Sequence, residues 1–431
     1  MNGFGATERA LARSLSAFPR VKAQLKHAWA SANYLLHREP GMREALAPGV
    51  RMALRLGGRS EDDARFVGYY EPTPFDADGR RLAHHRLRQG RGEVEVLIHE
   101  ADGSDSAVGV TKAWSSQQGA RLHWVREGGA RDRESIVYND LDAGRLGSRW
   151  VSSRRGRWFL PWPVAAMAPR GDRFASLDFV ALRAVAPDYG YAEVPAGAGA
   201  DQGEDAGVRM VEVASGEASL RLSLARARAC DPDPTMAGAR HELNHVQFAP
   251  DGRRVVVIHR WQGATGRFSR LLELDLERDE LSVPLAGPMV SHCTFLADGT
   301  LVAWARLGDR EGYFRRAPAG EAIPLLDGRA DEAGDGHPSA APGRALLVTD
   351  SYPDRARQQH LRLLDLDAGK TVPVARFLAP LRFSGGARVD LHPRFAPSGT
   401  SLCVDSAHTG VRGCYVLDVR ELVDELAGAR S

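Results

Sequence analysis

Four histidines recur in matching local contexts in the second half of the chain. The segments HVQFAPDG, HCTFLADG, HPSAAPGR and HPRFAPSG begin at His245, His292, His337 and His392. Imidazole is a common ligand of divalent metal ions, and it exchanges protons near neutral pH. Four imidazoles brought to one place would suit an ion such as Mn²⁺, Zn²⁺ or Fe²⁺. The recurrence therefore predicts a shared site.

The sequence around each histidine indicates β-strands. Each motif is an apolar strand end and a turn, followed by a β-rich strand: RRVVVIHRW, TLVAWARL, RALLVTDSY or TSLCVDSAH. The histidines are 47, 45 and 55 residues apart. This spacing is typical of one four-stranded propeller blade.

The earlier chain fits the same template less closely. PTPFDADG begins at Pro72, TKAWSSQQ at Thr111 and VAAMAPRG at Val164, which brings the repeats to seven. The 81 residues from Val164 to His245 predict an insertion, with residues 195–207 as a flexible surface loop. The alternative is an eighth, degenerate blade. We predict an all-β fold, a seven-bladed β-propeller.

In a propeller the innermost strands run along the central channel, so matching positions form a ring around the axis. In this chain the predicted ring consists of Pro72, Thr111 and Val164, followed by the four histidines. Asp335 and Asp390, each two residues before a histidine, are placed to assist as ligands. The alternative is that each imidazole only hydrogen-bonds the neighbouring blade.

A second group of residues suggests an anionic sugar as ligand. The segment His259-Arg260-Trp261 ends a strand of the first histidine repeat, and Arg267 lies in the following loop. Arginine pairs with carboxylates in a bidentate fork, and tryptophan offers a flat apolar face. Trp114, Tyr138 and Arg149 are further candidates at the channel mouth. For all of these, packing within a blade is the alternative.

The amino-terminal segment has a different composition. Residues 1–60 hold ten Lys/Arg and three Asp/Glu, a balance of 10 − 3 = +7. From Pro19, apolar residues recur at helical spacing. We predict a basic helical leader over residues 1–63, the propeller over 64–422 and a tail over 423–431. The helix is expected to pack on the propeller's flank; the alternative is contact with a membrane surface or a protein partner.

Composition narrows the function classes further. A net charge of +2 argues against a nucleic-acid partner. Four cysteines without CxxC spacing indicate neither a disulfide framework nor a thiolate metal site. No P-loop, GxSxG or HExxH motif is present. The first residues do not read as a secretory signal, so we expect a cytoplasmic protein, either free or peripheral to a membrane.

The segments LNHVQFAPDG, SHCTFLADG, GHPSAAPG and LHPRFAPSG resemble the oligogalacturonate lyases, seven-bladed propellers of the TolB/WD40-like class. The resemblance covers roughly residues 240–418. The chain also resembles propellers encoded near bacterial surface-polysaccharide genes.

The family resemblance implies roles for the histidines. In the family, histidines and a glutamine hold Mn²⁺, and another histidine is the base. By motif, His245 matches the base, His292 matches a ligand and His337 matches a blade histidine of less certain role. His392 matches the second histidine of a His-x-His ligand pair, whose first position is Asp390 here. The resemblance makes Mn²⁺ the preferred ion, with Zn²⁺, Fe²⁺ or Ca²⁺ as alternatives. The family's glutamine has no counterpart, since Ala387 stands near its place.

These expectations lead to two hypotheses about function. The first is a metal-dependent lyase that cleaves a uronate-containing glycan by β-elimination, with His245 as base and Arg260 helping to neutralise the substrate carboxylate. The second is a non-catalytic propeller that binds glycan or protein as a scaffold in surface-polysaccharide biosynthesis.

Overall fold

The computed structural model describes residues 19–126, 134–195 and 206–428, and these residues form seven antiparallel blades around one axis. Blade one contains β3 (Arg65–Phe66), β4 (Leu82–Arg88), β5 (Glu93–His99) and β6 (Asp105–Thr111). Blade two contains β7 (His123–Arg126), β8 (Glu134–Asp142), β9 (Arg145–Ser152) and β10 (Gly156–Leu160). Blade three contains β11 (Ala166–Met167), β12 (Arg173–Ser176), β13 (Gly207–Glu212) and β14 (Ala218–Ser223).

The histidine repeats form the other four blades. Blade four contains β15 (Arg240–Phe248), β16 (Arg254–Gly263), β17 (Gly266–Asp275) and β18 (Glu280–Ser282). Blade five contains β19 (Met289–Phe295), β20 (Leu301–Leu307), β21 (Arg310–Arg316) and β22 (Ala322–Pro324). Blade six contains β23 (Ser339–Ala340), β24 (Leu346–Thr349), β25 (Gln358–Asp365) and β26 (Lys370–Leu378). Blade seven contains β27 (Arg394–Phe395), β28 (Ser401–Ser406) and β29 (Gly413–Asp418).

The seven-bladed fold is therefore confirmed, and the long interval in blade three is an insertion between β12 and β13. It contains helix α2 (Phe179–Val185). Asp178 starts this helix, because its carboxylate accepts the backbone N–H groups of Val180 and Ala181. Most of the predicted loop 195–207 lies outside the described residues. A second short helix, α3 (Leu224–Ala229), leads from blade three to blade four.

The first strands of the chain close the ring. Strand β2 (Arg51–Gly57) pairs with β29 as the outer strand of blade seven, and β1 (Glu44–Leu46) pairs with β26 as a fifth strand of blade six. The boundary predicted after residue 63 is thus too late, because residues 44–57 complete sheets whose other strands are far along the chain. The predicted tail from 423 is also wrong: helix α4 (Arg420–Gly428) buries Val423 against blades six and seven.

Helix α1 spans Pro19–His37, as the helical spacing predicts. Its leucines Leu25, Leu35 and Leu36 are 49%, 63% and 79% exposed. The expected packing of these three on the propeller's flank is wrong, since no described element covers them. Within the described ranges, none of the helices has the length and apolar character needed to cross a membrane.

The axial ring differs from the prediction in blade two. Thr111 ends β6, the outermost strand of blade one, and so does not face the channel. Arg121 takes the ring position instead. It shares a left-handed backbone, φ 51°, with His245 at 53° and His392 at 44°. The repeat was misaligned because blade two has its own inner strand, β7, beginning at His123.

Candidate metal and catalytic site

The four repeat histidines meet at the axis. The ring centroids of His292 and His337 are 4.2 Å apart, as are those of His337 and His392, and His245 lies 6.1 Å from His292. Each of these residues is at most 2% exposed. The sequential blades thus bring four imidazoles into one buried cluster, which we call the axial cluster.

Two tyrosines from blade one fill the channel beside the axial cluster. The Tyr69 hydroxyl is 2.6 Å from Nδ1 of His245, and its ring centroid is 5.0 Å from that of His392. The Tyr70 hydroxyl donates to the backbone carbonyl of Cys293, and its ring centroid is 5.3 Å from that of His337. The segment after β3 therefore packs across the axis and shields the histidines from one end.

Hydrogen-bond acceptors behind the rings fix the orientation of two imidazoles. Nδ1 of His337 donates to the Asp350 carboxylate at 2.9 Å, and Nδ1 of His392 donates to the Gly68 carbonyl at 2.7 Å. With each Nδ1 engaged, Nε2 is the ring nitrogen left to bind a metal ion. Nε2 of His392 is buried without a hydrogen-bond partner among the described residues. A carboxylate or carbonyl behind each imidazole is the usual support for a metal-ligating histidine.

His337, Asp390 and His392 are the residues that fit a metal ion. Their ligand atoms lie within 4.8 Å of one another, and all three side chains are buried. Two imidazole nitrogens and a carboxylate oxygen suit Mn²⁺, Zn²⁺ or Fe²⁺. We call these three residues the ligand triad; His292, whose Nδ1 is 3.2 Å from Asp335, lies next to it.

Burial and charge set the protonation of the axial cluster. Burial, and next the charge of Arg260, hold the pKa of His245 well below its usual value. Burial also keeps the pKa of His392 well below its usual value. Burial opposes protonation of His337, but the Asp350 carboxylate outweighs it and raises the pKa of that imidazole. His245 is therefore a neutral imidazole at neutral pH and can accept a proton.

An arginine lies at the outer edge of the ligand triad. Nε of Arg388 donates to Asp390 at 2.8 Å, and its Nη1 donates to Asp188 at 2.5 Å. Asp188 and the neighbouring Tyr189 belong to the blade-three insertion. The Tyr189 ring stands edge-on to that of His245, with centroids 4.9 Å apart. The insertion thus forms one wall of the site.

Sequence reasoning missed Asp350, although a signal for it was present. Asp350 directly follows β24 in blade six, and Asp405 lies near the end of the matching strand β28 in blade seven, within VTDS and CVDS. Asp350 accepts the backbone N–H of His392, and Asp405 accepts the N–H groups of Val67 and Gly68. Each carboxylate thereby joins its blade to the next one at the axis. The repeated dipeptide Asp-Ser was the available clue.

The other missed residues have no repeat signature. Tyr69, Tyr189, Asp188 and Arg388 reach the site from a blade-one segment, an insertion and a loop. Only the tertiary structure brings them together.

The candidates predicted in blade four are divided between two places. Arg260 lies near the axial cluster: its Nη2 donates to the Ser291 carbonyl at 3.3 Å, beside His292. Arg267 is 57% exposed and pairs with Glu242. His259 is buried within its blade, where its Nε2 is 2.9 Å from Nδ1 of His241. The structure does not bring Arg267 or His259 to the axis.

The candidates predicted at the channel mouth are packing residues within blades one and two. The Trp114 indole donates to the Gly92 carbonyl. Tyr138 is 2% exposed within an apolar cluster. Arg149 pairs with Asp140 and Asp142 on the blade surface.

Solved structures resemble this chain along most of its length. The oligogalacturonate lyase of Vibrio parahaemolyticus is 12% identical, with a TM-score of 0.54, over 89% of this chain and 99% of that one. An oligogalacturonate lyase in complex with manganese is 14% identical, with a TM-score of 0.55, over 88% and 96%. TolB of Acinetobacter baumannii is 12% identical, with a TM-score of 0.38, over 73% and 64%.

No protein-family model and no curated protein sequence matches the chain. At identities of 12–14% the structural likeness establishes the fold alone. The chain thus has the seven-bladed β-propeller fold seen in oligogalacturonate lyases.

Proposed function

We propose that the protein is a metal-dependent lyase that cleaves a uronate-containing glycan by β-elimination. One observation carries the proposal: the ligand triad of His337, Asp390 and His392 lies in the same buried cluster as the neutral imidazole of His245. Elimination next to a carboxylate needs a cation to neutralise that carboxylate and a base to remove the adjacent proton. The likeness to the manganese-bound lyase supports the same chemistry.

His245 is the proposed base. When its Nδ1–H donates to the Tyr69 oxygen, the lone pair of Nε2 faces the cluster; this nitrogen is buried without a partner in the described structure. Nε2 takes the proton from C5 of the uronate. The electron pair forms the C4–C5 double bond, the bond from C4 to the leaving oxygen breaks, and that oxygen keeps the bonding pair and takes a proton from water. A positioned base of this kind contributes about 10²–10⁴-fold in rate.

The ligand triad would hold a divalent ion, whose positive charge would neutralise the substrate carboxylate and so acidify the adjacent C5 proton. Asp350 and the Gly68 carbonyl keep the two imidazoles of the triad in the required tautomer. Tyr69 and Tyr70 fill the channel beside the axial cluster and exclude water from that side of it.

The experiment is incubation of the protein with uronate oligosaccharides, with Mn²⁺ or with chelator, while ultraviolet absorbance records unsaturated ends. We expect absorbance to rise with Mn²⁺, and to fail to rise with chelator or in a His245→Ala variant. His259→Ala is the matched control, since this buried histidine lies outside the axial cluster. If none of the uronic-acid glycans yields unsaturated ends, the lyase proposal is wrong.

The exposed leucines of α1 favour a second candidate, a non-catalytic scaffold. Leu35 and Leu36 present an apolar surface beside basic residues, as a docking segment would. Elemental analysis separates the candidates. A stoichiometric ion that is lost in a His292→Ala/His392→Ala double variant supports the lyase, whereas a protein that takes up no ion supports the scaffold.

A further inference from the structure

We infer that Arg388 forms a subsite for a ligand carboxylate, and that Asp188 of the blade-three insertion occupies this subsite as an internal competitor. The inference deepens the proposed function and rests on it for the choice of a uronate as ligand. Two observations carry it: the unequal burial of the two carboxylates on Arg388, and the position of Arg388 against the ligand triad, with Tyr189 linking it to His245.

The guanidinium of Arg388 holds one inner and one outer carboxylate. Asp390, on the inner side, is 2% exposed, and Asp188, on the outer side, is 32% exposed. Arg388 itself is 25% exposed, so it stands where solvent meets the buried cluster. An anion that enters from solution therefore meets Arg388 before it meets the ligand triad.

The outer carboxylate is the exchangeable one. Exposed ion pairs contribute little stability, whereas breaking a buried pair leaves a charge without a partner. Asp188 comes from an insertion outside the blade sheets, whereas Asp390 lies two residues before the ring residue His392. A ligand carboxylate can thus replace Asp188 on the fork of Arg388 while the contact with Asp390 is kept.

A carboxylate bound at this place would lie correctly for the proposed chemistry. Nη2 of Arg388 reaches the Tyr189 hydroxyl at 3.5 Å, and the Tyr189 ring contacts that of His245. On the other side, Arg388 touches Asp390 of the ligand triad. The subsite therefore adjoins the proposed metal ligands directly and the proposed base by way of Tyr189. Tyr352, 39% exposed and 6.0 Å from the His337 ring by centroids, offers a flat face for a sugar ring.

The test is calorimetric titration of the full-length protein with D-galacturonate and with D-galactose, which differ only by the carboxylate. We expect galacturonate to bind at least about tenfold more tightly than galactose. Arg388→Gln should weaken galacturonate binding at least about tenfold, and Arg388→Lys, which keeps the charge without the fork, should weaken it less. Asp188→Asn should tighten binding several-fold, because the competing carboxylate is removed.

Matched controls come from an exposed ion pair away from the site. Arg382 pairs with Glu61 at 3.0 Å, and both are more than half exposed. Arg382→Gln and Glu61→Gln alter the net charge as the test variants do, and should leave galacturonate binding unchanged. Thermal melting of each variant shows that it is folded. Asp188→Asn keeps the Arg388–Asp390 contact, so it remains informative if Arg388→Gln does not fold.

The outcomes separate this inference from the proposed function. Equal binding of both sugars, or no loss in Arg388→Gln, or no gain in Asp188→Asn, overturns the subsite. Galacturonate binding that depends on Arg388, together with no unsaturated ends from uronate oligosaccharides, keeps the subsite and rejects the lyase. Lyase activity that is unaffected by Arg388→Gln supports the lyase and rejects the subsite.

Discussion

Individual buried polar residues determine the charges and tautomers of the side chains at the propeller axis. Asp350 uses one carboxylate to hold the ring of His337 and the backbone N–H groups of His337 and His392. Its pKa is lowered: burial alone would raise it, but His337 and these hydrogen bonds outweigh burial. A charged carboxylate is stable in this buried place because each of its bonds comes from a fixed donor. The tautomers of the imidazoles follow from such partners.

A buried histidine outside the axial cluster should make the protein acid-sensitive. Burial lowers the pKa of His123 to about 3, whereas the unfolded chain takes up this proton near pH 6.5. The unfolded state therefore binds more protons between these values, and the free energy of unfolding falls as pH drops below about 6.5. His123→Phe should reduce this fall by about 2 kcal/mol between pH 6.5 and 4.5.

Urea unfolding of both proteins at several pH values measures this difference. The control variant is Val125→Ala, a buried residue of the same strand without an ionisable group, which should lower stability by the same amount at each pH. An equal fall in wild type and His123→Phe would contradict the prediction.

At the scale of elements, strand pairing between the two ends of the chain closes the ring. Strand β2 pairs with β29 from Arg51 opposite Asp418 to Gly57 opposite Gly413. Leu56 is buried in the apolar cluster between blades seven and one. Ring closure removes the open edge that β29 would otherwise expose. The amino-terminal segment is thus divided: residues 44–57 belong to the propeller, and α1 does not.

The melting temperatures of two truncated chains should therefore differ sharply. A chain starting at residue 41 loses α1 and should melt within about 2 °C of the full-length protein, because Leu35 and Leu36 are exposed. A chain starting at residue 58 also loses β1 and β2 and should melt at least about 5 °C lower. Leu56→Ala, in the full-length chain, should cost about 2–4 kcal/mol of unfolding free energy. Calorimetry measures all three; equal melting of the two truncations would refute the closure argument.

At the scale of the whole molecule, the axis is the one place where residues from distant blades can meet. The ligand triad takes His337 from blade six and Asp390 and His392 from the segment that leads into blade seven. Blades six and seven are also the two blades completed by β1 and β2. A metal ion at the triad would thus join the blades where the ring closes.

Mn²⁺ should therefore stabilise the entire fold. An ion that binds only the folded state adds about 4 kcal/mol at a thousandfold excess over its dissociation constant, so the melting temperature should rise by several degrees. Asp390→Asn should abolish most of this rise, while Asp335→Asn, outside the triad, should preserve more of it. Scanning calorimetry with Mn²⁺ and with chelator provides the measurement. A rise of equal size in Asp390→Asn would show that the ion binds elsewhere.

The sequence by itself determined the blade repeat and the convergence of the histidines. His245, His292, His337 and His392 stand at one position of a regular template, and a propeller maps a sequence position onto a distance from the axis. The template failed in blade two, where Thr111 was placed at the ring instead of Arg121. It failed there because the sequence after β7, EGGARDR, does not resemble the turn segments of the later blades.

Only the tertiary structure decided which residues complete the site and where the ring closes. Asp188, Arg388 and Tyr69 come from segments outside the repeat, so no spacing in the chain relates them to the histidines. From its sequence alone, β2 is an ordinary short strand. Its part in closing the ring is visible only when its partner β29, at the other end of the chain, is known. Periodicity encodes contacts within and between repeats, whereas contacts made by insertions and chain ends depend on closure in three dimensions.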